Sequence, residues 1–353
     1  MAVVGGAGTW GRHYLRAYAE HEDCEIVALV DRAKDRRQAF ADRYGVGTIY
    51  DEVDDLLADT IPDIVSAIVP VRQSRPVLRT CVEAGVKVVS CEKPIAVSLS
   101  EADELVQVCR ENGSAFGCGT AHYEVPHLLE TAAWIRAGHI GTLTGAVIPG
   151  GLPNEVSGAG CVQLTMLRVL TGMEIEWVEG WTLPPAVGWL PEEFATDPDI
   201  DRPAYGRLGL SGGIVCKILQ PRQASCRVSV MGDNGRVWLG GPQSIHIQGM
   251  GAEAVPVYPD FLQTEDGDFF TNVVERLMRA FDNGGEAQCS GHDYRQALEI
   301  AIALKLSAER DHERIHLPLE DRSLRILPHP YRQHGGDVAG WESIGYPGPP
   351  EVT

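Results

Sequence analysis

The chain has 353 residues, a formal net charge of −19, and 44% hydrophobic and 22% charged residues. The composition excludes a disordered protein, and the length predicts about two domains, since one compact core seldom exceeds roughly 250 residues. The negative charge, which no run of Lys or Arg offsets, argues against nucleic acid and anionic membrane surfaces as partners.

Nine cysteines are scattered along the chain without a Cys-x-x-Cys pair, and several stand in apolar segments. We interpret them as reduced core residues. No stretch of 18 uncharged apolar residues occurs, and the N-terminus runs directly into an apolar strand and a glycine turn. These features predict a cytoplasmic protein.

The first third of the chain alternates short β-branched runs with amphipathic helical stretches, the pattern of a parallel sheet covered by helices on both faces. Strands are predicted at residues 2–5, 25–31, 64–70, 86–91 and 115–119. Helices are predicted at residues 12–20, 36–44 and 74–84, and from the capping box at 98–101 to just before Gly113. Residues 1–120 therefore form one α/β domain.

After about residue 120 the pattern changes to α+β. Helices are predicted from near Pro126 to residue 137, at 269–281 and at 294–309. Strands are predicted at residues 142–148, 174–183, 208–219, 224–231 and 236–239. The turn Asp233-Asn234-Gly235 predicts that the last two strands are antiparallel neighbours, because Asn-Gly accepts the positive φ of hairpin turns.

Two segments show no regular pattern. Residues 184–205 are Pro-rich and acidic, which predicts a surface excursion, either a long loop or a lid. Residues 319–353 are rich in Gly, Pro and charge, which predicts a tail. The second domain is therefore placed at residues 121–318.

A glycine-rich motif, Gly6-Ala7-Gly8-Thr9-Trp10-Gly11, lies between the first predicted strand and the first helix. In this context G-x-G-x-x-G is typical of a Rossmann site that binds a dinucleotide. Gly6 would allow the tight turn, Gly8 the approach of the pyrophosphate, and Gly11 close packing of the helix. The alternative is a turn that needs glycine only for packing.

An acidic residue, Asp31, stands 20 residues beyond Gly11 at the end of the second predicted strand. A carboxylate there can accept hydrogen bonds from the ribose hydroxyls and would repel a 2′-phosphate. The motif thus favours NAD over NADP as cofactor. Arg32 leaves the alternative open, because a guanidinium could instead bind a 2′-phosphate.

A second motif, Glu92-Lys93-Pro94, closes the predicted strand at residues 86–91. With the glycine motif it resembles the glucose-fructose oxidoreductase and inositol dehydrogenase family (Gfo/Idh/MocA). The resemblance continues through Gly138-His139-Ile140-Gly141, the turn at 232–235 and residues 297–318. It implies a Rossmann domain followed by a domain with an open-faced, mainly antiparallel sheet.

The resemblance also implies roles for these residues. Lys93 would reach the cleft beside the nicotinamide and take part in proton transfer, Glu92 would contact the nicotinamide ribose, and Pro94 would shape the turn. Pro70, at the end of the strand predicted at 64–70, would also border the cofactor. The alternative for Lys93 is an exposed strand-end lysine paired with Glu92.

The chain departs from the family pattern where a helix of the second domain usually carries an Asp and, four residues later, an acid/base His. Gly158 and Val162 stand at those positions, and neither can move a proton. Ser74 likewise stands where family members often carry His. The usual proton relay is therefore reduced to Lys93.

Other residues could take the place of the missing acid/base groups. His122 has a suitable intrinsic pKa for acid/base catalysis, and Tyr123 could donate a hydrogen bond to a carbonyl. Gln163 could orient a sugar hydroxyl without exchanging its proton. The alternatives are a solvated loop histidine and an exposed helical glutamine. The histidines and cysteines lack zinc-ligand spacing, so no metal is predicted, and no hydrolase motif occurs.

The sequence thus predicts an NAD-dependent oxidoreductase that moves a hydride between nicotinamide and a hydroxyl-bearing carbon of a sugar, sugar derivative or cyclitol. The substrate class rests on the resemblance alone. The alternatives are a glycoside-cleaving enzyme that oxidises its substrate transiently and a non-catalytic NAD-binding sensor or scaffold. A homo-oligomer, a dimer or tetramer, is expected by the same resemblance, with Val228, Val230, Val237 and Leu239 as exposed apolar strand positions.

Overall fold

The computed structural model describes residues 1–118, 127–241, 244–264, 268–287 and 289–352. The chain divides into two compact units. The first comprises residues 1–120, 267–295 and 329–353, and the second comprises residues 121–266 and 296–328. The first unit therefore includes two later stretches of chain besides the predicted residues 1–120.

The first unit is built on a parallel sheet. Its strands are β1 (Ala2–Val4), β2 (Ala28–Val30), β3 (Ile49–Tyr50), β4 (Ile64–Ala67), β5 (Val88–Cys91) and β6 (Ala115–Cys118), in the order β3-β2-β1-β4-β5-β6. The intervening helices are α1 (Gly11–Glu20), α2 (Lys34–Tyr44), α3 (Val53–Asp59), α4 (Val71–Glu83) and α5 (Leu99–Asn112). The predicted Rossmann-type fold is thus confirmed, and its sheet has one strand more than the sequence predicts.

The remaining elements follow in chain order. The helices are α6 (Leu128–Arg136), α7 (Cys161–Thr171), α8 (Glu192–Ala195), α9 (Phe269–Asn283), α10 (Gly291–Glu309), α11 (Pro330–His334) and α12 (Gly336–Ala339). The strands are β7 (Leu143–Ile148), β8 (Ile175–Thr182), β9 (Ala204–Leu210), β10 (Ile214–Ile218), β11 (Val228–Gly232), β12 (Gly235–Leu239), β13 (Ile245–Gln248), β14 (Val255–Val257) and β15 (Ile315–His316). A π-helical turn lies at Val156–Gly160, and 3₁₀ turns lie at Gly251–Glu253, Asp260–Gln263 and Trp341–Ile344.

The second unit contains a nine-stranded sheet in the order β14-β13-β12-β11-β7-β10-β9-β8-β15. All pairs are antiparallel except β7 with β10, which confirms the mainly antiparallel domain. The hairpin between β11 and β12 is confirmed, with Gly232 opposite Gly235. The strand predicted at 208–219 is two strands, because Gly212 and Gly213 both adopt positive φ and reverse the chain.

The four valine and leucine positions that the sequence analysis treats as exposed are buried. Val228, Val230, Val237 and Leu239 have no accessible surface, because they form the inward side of β11 and β12, and α7 packs against β11. Side chains alternate along a strand, so the outward side carries Met231 and Trp238 instead. The expectation that these four residues are exposed is wrong.

The predicted tail also differs from the structure, because its second half folds onto the first unit. Pro330 begins α11, where a proline costs no hydrogen bond, and the His329 imidazole accepts the Tyr331 amide at 3.1 Å. The Arg72 guanidinium on α4 donates to the Gln333 side-chain oxygen at 2.8 Å. Residues 329–344, hereafter the C-terminal segment, are therefore part of the first unit's structure.

Candidate functional site

The turn between β1 and α1 is held by close backbone packing. Gly5 adopts φ +76°, and a Cβ there would lie 2.2 Å from the Ile68 carbonyl oxygen. A Cβ on Gly6 would lie 2.4 Å from Leu29 Cδ1. The positive φ of the turn thus falls on Gly5, whereas Gly6 is required for packing against β2.

The other two motif glycines have different surroundings. A Cβ on Gly11 would lie 2.2 Å from the Gly5 carbonyl oxygen, so this glycine lets α1 start directly against the turn. A Cβ on Gly8 would meet only the Gly5 oxygen, at 3.3 Å, and would otherwise fill open space. The space in front of Gly8 and the N-terminus of α1, whose first turn has no acidic residue, suits the pyrophosphate of a dinucleotide.

The glycine turn borders a cavity of about 510 Å³ within the first unit. The carboxyl ends of β1, β2, β4 and β5 lead into it, which is the edge where doubly wound sheets bind ligands. All of the predicted cofactor-binding positions except Gly6 line this cavity, namely Gly8, Thr9, Trp10, Gly11, Asp31, Arg32, Pro70, Glu92 and Lys93.

Asp31 lies at the end of β2 with its side chain fixed by two backbone amides. The Ala7 amide donates to one carboxylate oxygen and the Ala33 amide to the other, both at 2.9 Å. Burial raises the pKa of Asp31, and the two amides and Arg36 oppose that shift. Each oxygen keeps a second lone pair, so the carboxylate can accept ribose hydroxyls.

Arg32, next in sequence, is engaged by another carboxylate. Its Nε and Nη2 donate to the two oxygens of Glu52 at 2.9 and 3.0 Å. Both side chains are exposed, at 72% and 51%, so the pair is a surface ion pair of small energy. The guanidinium is therefore directed to Glu52 in this structure, which does not favour its use for a 2′-phosphate.

The Glu92-Lys93-Pro94 motif follows β5 directly, and all three residues line the cavity. The Tyr14 hydroxyl on α1 donates to Glu92 Oε1 at 2.9 Å. Burial raises the pKa of Glu92, against the opposing effects of Lys93 and the Tyr14 hydrogen bond. The structure thus places the lysine and the glycine turn around one cavity.

The positions that depart from the family pattern lie in the second unit. Gly158 belongs to the π-helical turn, and Val162 on α7 is 1% exposed. Gln163 is 8% exposed, and its side-chain oxygen has no hydrogen-bond partner among the described residues. It is therefore not the exposed helical residue that the alternative assumed. His122 and Tyr123 lie outside the described residues.

A buried carboxyl group beside this turn was missed by the sequence analysis. Asp201 is 2% exposed and accepts hydrogen bonds from the Val156 amide at 3.0 Å and from the Ser157 amide and hydroxyl, both at 2.6 Å. Burial, with the neighbouring Glu155, raises its pKa to about 7. Its position in the Pro-rich segment gave no signal of burial.

The C-terminal segment was missed as part of the cavity. Its residues from Tyr331 to Asp337, with Val338 and Trp341, line the same space as the glycine turn. The sequence signal for this packing was the presence of Tyr331 and Trp341 in an otherwise Gly- and Pro-rich stretch. Large aromatic rings are uncommon in tails that do not pack against the protein.

Comparison with known proteins agrees with the Rossmann fold of the first unit. Residues 1–120 match the family model GFO_IDH_MocA, an oxidoreductase family with an NAD-binding Rossmann fold. Inositol 2-dehydrogenase from Rhizobium meliloti is 25% identical over 317 residues, which are 84% of this chain and 93% of that protein. D-glucoside 3-dehydrogenase from Escherichia coli is 29% identical over 122 residues, which are 35% of this chain and 34% of that protein.

The fold recurs in solved structures. Aldose-aldose oxidoreductase from Caulobacter crescentus is similar with a TM-score of 0.73 at 20% identity, covering 90% of this chain and 98% of that one. At this identity the likeness concerns the fold, and it extends over both units. Residues 1–120 therefore have the NAD-binding Rossmann fold of the GFO_IDH_MocA oxidoreductase family, and most of the chain is similar in sequence to an inositol 2-dehydrogenase.

Proposed function

We propose that the protein transfers a hydride between NAD and a hydroxyl-bearing carbon of a sugar, sugar derivative or cyclitol. The observation that carries this proposal is the cavity of the first unit, which the glycine turn, Asp31 and Lys93 line together. The substrate class is supported by the names of the relatives, an inositol dehydrogenase and a glucoside dehydrogenase.

Bound NAD supplies a nicotinamide ring that accepts or returns the hydride. The chain's own residues position it: Asp31 accepts the adenosine ribose hydroxyls, and the Gly8 turn and the N-terminus of α1 receive the pyrophosphate. Glu92, which accepts a hydrogen bond from the Tyr14 hydroxyl, would contact the nicotinamide ribose. In this assignment the carboxyl ends of the strands arrange the cofactor along one edge of the sheet.

Lys93 is the proposed proton-transfer residue. Oxidation of an alcohol releases a hydroxyl proton as the hydride leaves, and a lysine amine beside the reacting oxygen can take that proton. Val162 and Gly158 cannot share this task, because their side chains carry no titratable group. Gln163, whose buried side-chain oxygen lacks a partner among the described residues, is proposed to orient a substrate hydroxyl, with His122 and Tyr123 as further candidates.

The test is a screen of the purified protein with NAD against a panel of cyclitols, aldoses and glycosides, in which NADH absorbance and product are both followed. We expect NADH to form in proportion to product with at least one member of the panel. Product without NADH would instead indicate transient oxidation followed by glycoside cleavage. Cofactor binding without either signal across the panel would indicate a sensor or scaffold.

We also propose that the second-unit sheet forms the contact of a homo-oligomer, a dimer or tetramer. Its outward side carries partly exposed apolar residues: Trp238 on β12 pairs with Ile245 on β13, which is 45% exposed, and Ile247 follows on the same side. Directly paired residues share one face of a sheet, so these side chains form a continuous patch. Exposed apolar patches of this kind mark protein interfaces.

Sedimentation velocity tests this interface. The Ile245→Glu variant should sediment as a smaller species than the wild type at micromolar concentration. Burying a carboxylate in an apolar contact removes its hydration, which destabilises the interface. Ile61→Glu is the matched control, since Ile61 is 54% exposed and lies in the first unit. A monomeric wild type, or equal dissociation by both variants, would contradict the proposal.

For location, we propose the cytoplasm. Eight of the nine cysteines are buried, and burial raises the pKa of the Cys81 and Cys109 thiols to about 12. Thiols of that kind resist oxidation and behave as apolar core groups. Among the described residues no helix has the length and apolar character needed to cross a bilayer.

A further inference from the structure

One contact of the C-terminal segment within the cofactor cavity is made with Arg36 on α2. The two terminal nitrogens of Arg36 donate to the two oxygens of Asp337 at 3.1 and 2.6 Å. The Trp341 indole donates to the same carboxylate at 3.2 Å, and its ring lies 5.7 Å from the Arg36 guanidinium carbon. Asp337 is thus fixed from two sides while it holds the arginine.

Arg36 lies next to the ribose-recognising carboxylate. The Arg36 Nε donates to the Ala7 carbonyl oxygen at 3.3 Å. The backbone amide of Ala7 in turn donates to the Asp31 carboxylate. The charges of both Arg36 and Asp337 act on Asp31, and their effects on its pKa have opposite signs. Arg36 is only 21% exposed, and it lines the cavity together with Asp31 and Asp337.

Such an arginine could receive a 2′-phosphate. A guanidinium near the adenosine ribose forms paired, charge-assisted hydrogen bonds with phosphate, which is how NADP is commonly held. Here the two arginines beside Asp31 that line the cavity are occupied by carboxylates, Arg32 by Glu52 and Arg36 by Asp337. A 2′-phosphate would have to displace these carboxylates or accept their repulsion.

We propose that the C-terminal segment determines cofactor specificity, because Asp337 occupies Arg36 and places a second negative charge beside Asp31. NADP is thereby rejected by a residue that lies outside the Rossmann sequence, more than 300 positions after the glycine motif. The proposal goes beyond the reaction proposed above, since it concerns the choice between two dinucleotides and holds for any substrate.

Isothermal titration with NAD and with NADP, in the absence of substrate, tests this assignment. Asp337→Asn keeps the side-chain volume and releases Arg36, so the affinity for NADP should rise by about tenfold or more, the effect of one charge-assisted hydrogen bond. The affinity for NAD should change by less than about threefold. The double variant Arg36→Gln, Asp337→Asn should lose the gain in NADP affinity.

Glu104→Gln is the matched control, because it removes the same charge from the surface pairs with Arg75 and Arg79, which do not line the cavity. An equal gain of NADP affinity in this control would overturn the proposal, as would an unchanged preference in Asp337→Asn or a gain that survives in the double variant. Tight NAD binding with any of these results would leave the proposed reaction intact.

Discussion

Replacing Lys93 by methionine should lower kcat by about 10²- to 10⁴-fold, the usual contribution of a positioned acid or base. Methionine retains the length and most of the apolar stem of the lysine and removes the ammonium group. Because Lys93 is assigned to the reacting hydroxyl, the Kd for NAD measured by titration should change far less than kcat. The pH dependence of kcat should also weaken in the variant.

Lys87→Met is the matched control for this experiment. Lys87 is exposed and precedes β5, whereas Lys93 follows the same strand, so the two lysines lie at opposite ends of one element. The control variant should retain wild-type kcat. Full activity in Lys93→Met, or a loss of activity that is explained by lost NAD binding, would contradict the assigned role of Lys93.

The Rossmann half of the molecule was predictable because its signals are local. Strand and helix patterns alternate, and the glycine motif and Asp31 stand at fixed spacings from the elements they terminate. The missed pair of elements, β3 and α3, is short, with only two residues in the strand. Which glycine takes the positive φ was not predictable, because it depends on the carbonyl of Ile68, which is distant in sequence.

The second unit and the C-terminal segment were harder to predict because their burial is set by distant contacts. The two-residue alternation of side chains along β11 and β12 shows which residues share a face of the sheet. Only the packing of α7 against β11 determines that the valines lie on the buried face. Nothing local links Asp337 to Arg36, 301 residues earlier. The sequence thus predicted residues that line the cavity of the first unit, but not the C-terminal segment that lines it with them.

A further large effect concerns stability, and it comes from Asp201. In the folded protein this carboxyl has a pKa of about 7, whereas in the unfolded chain it titrates near its ordinary value of 3.8. Between these two values the folded state binds one proton more than the unfolded state, so stability from this group decreases as pH rises. The decrease is about 1.4 kcal/mol per pH unit, on the order of 4 kcal/mol over the whole window.

Asp201→Asn should remove this dependence, because an amide does not titrate. Urea unfolding of both proteins at pH 4.5, 5.5, 6.5 and 7.5 should therefore show a wild-type advantage that is largest at the lowest pH and shrinks toward pH 7.5. The advantage at low pH is expected because the neutral carboxyl keeps its bonds from Val156 and Ser157, whereas the asparagine NH₂ group opposes one of these donors. Asp282→Asn, at an exposed position on α9, is the control that measures how the loss of one exposed carboxyl group changes the free energy of unfolding. If wild type and Asp201→Asn differ by the same free energy at every pH, Asp201 is ionised throughout, and its three donors outweigh its burial.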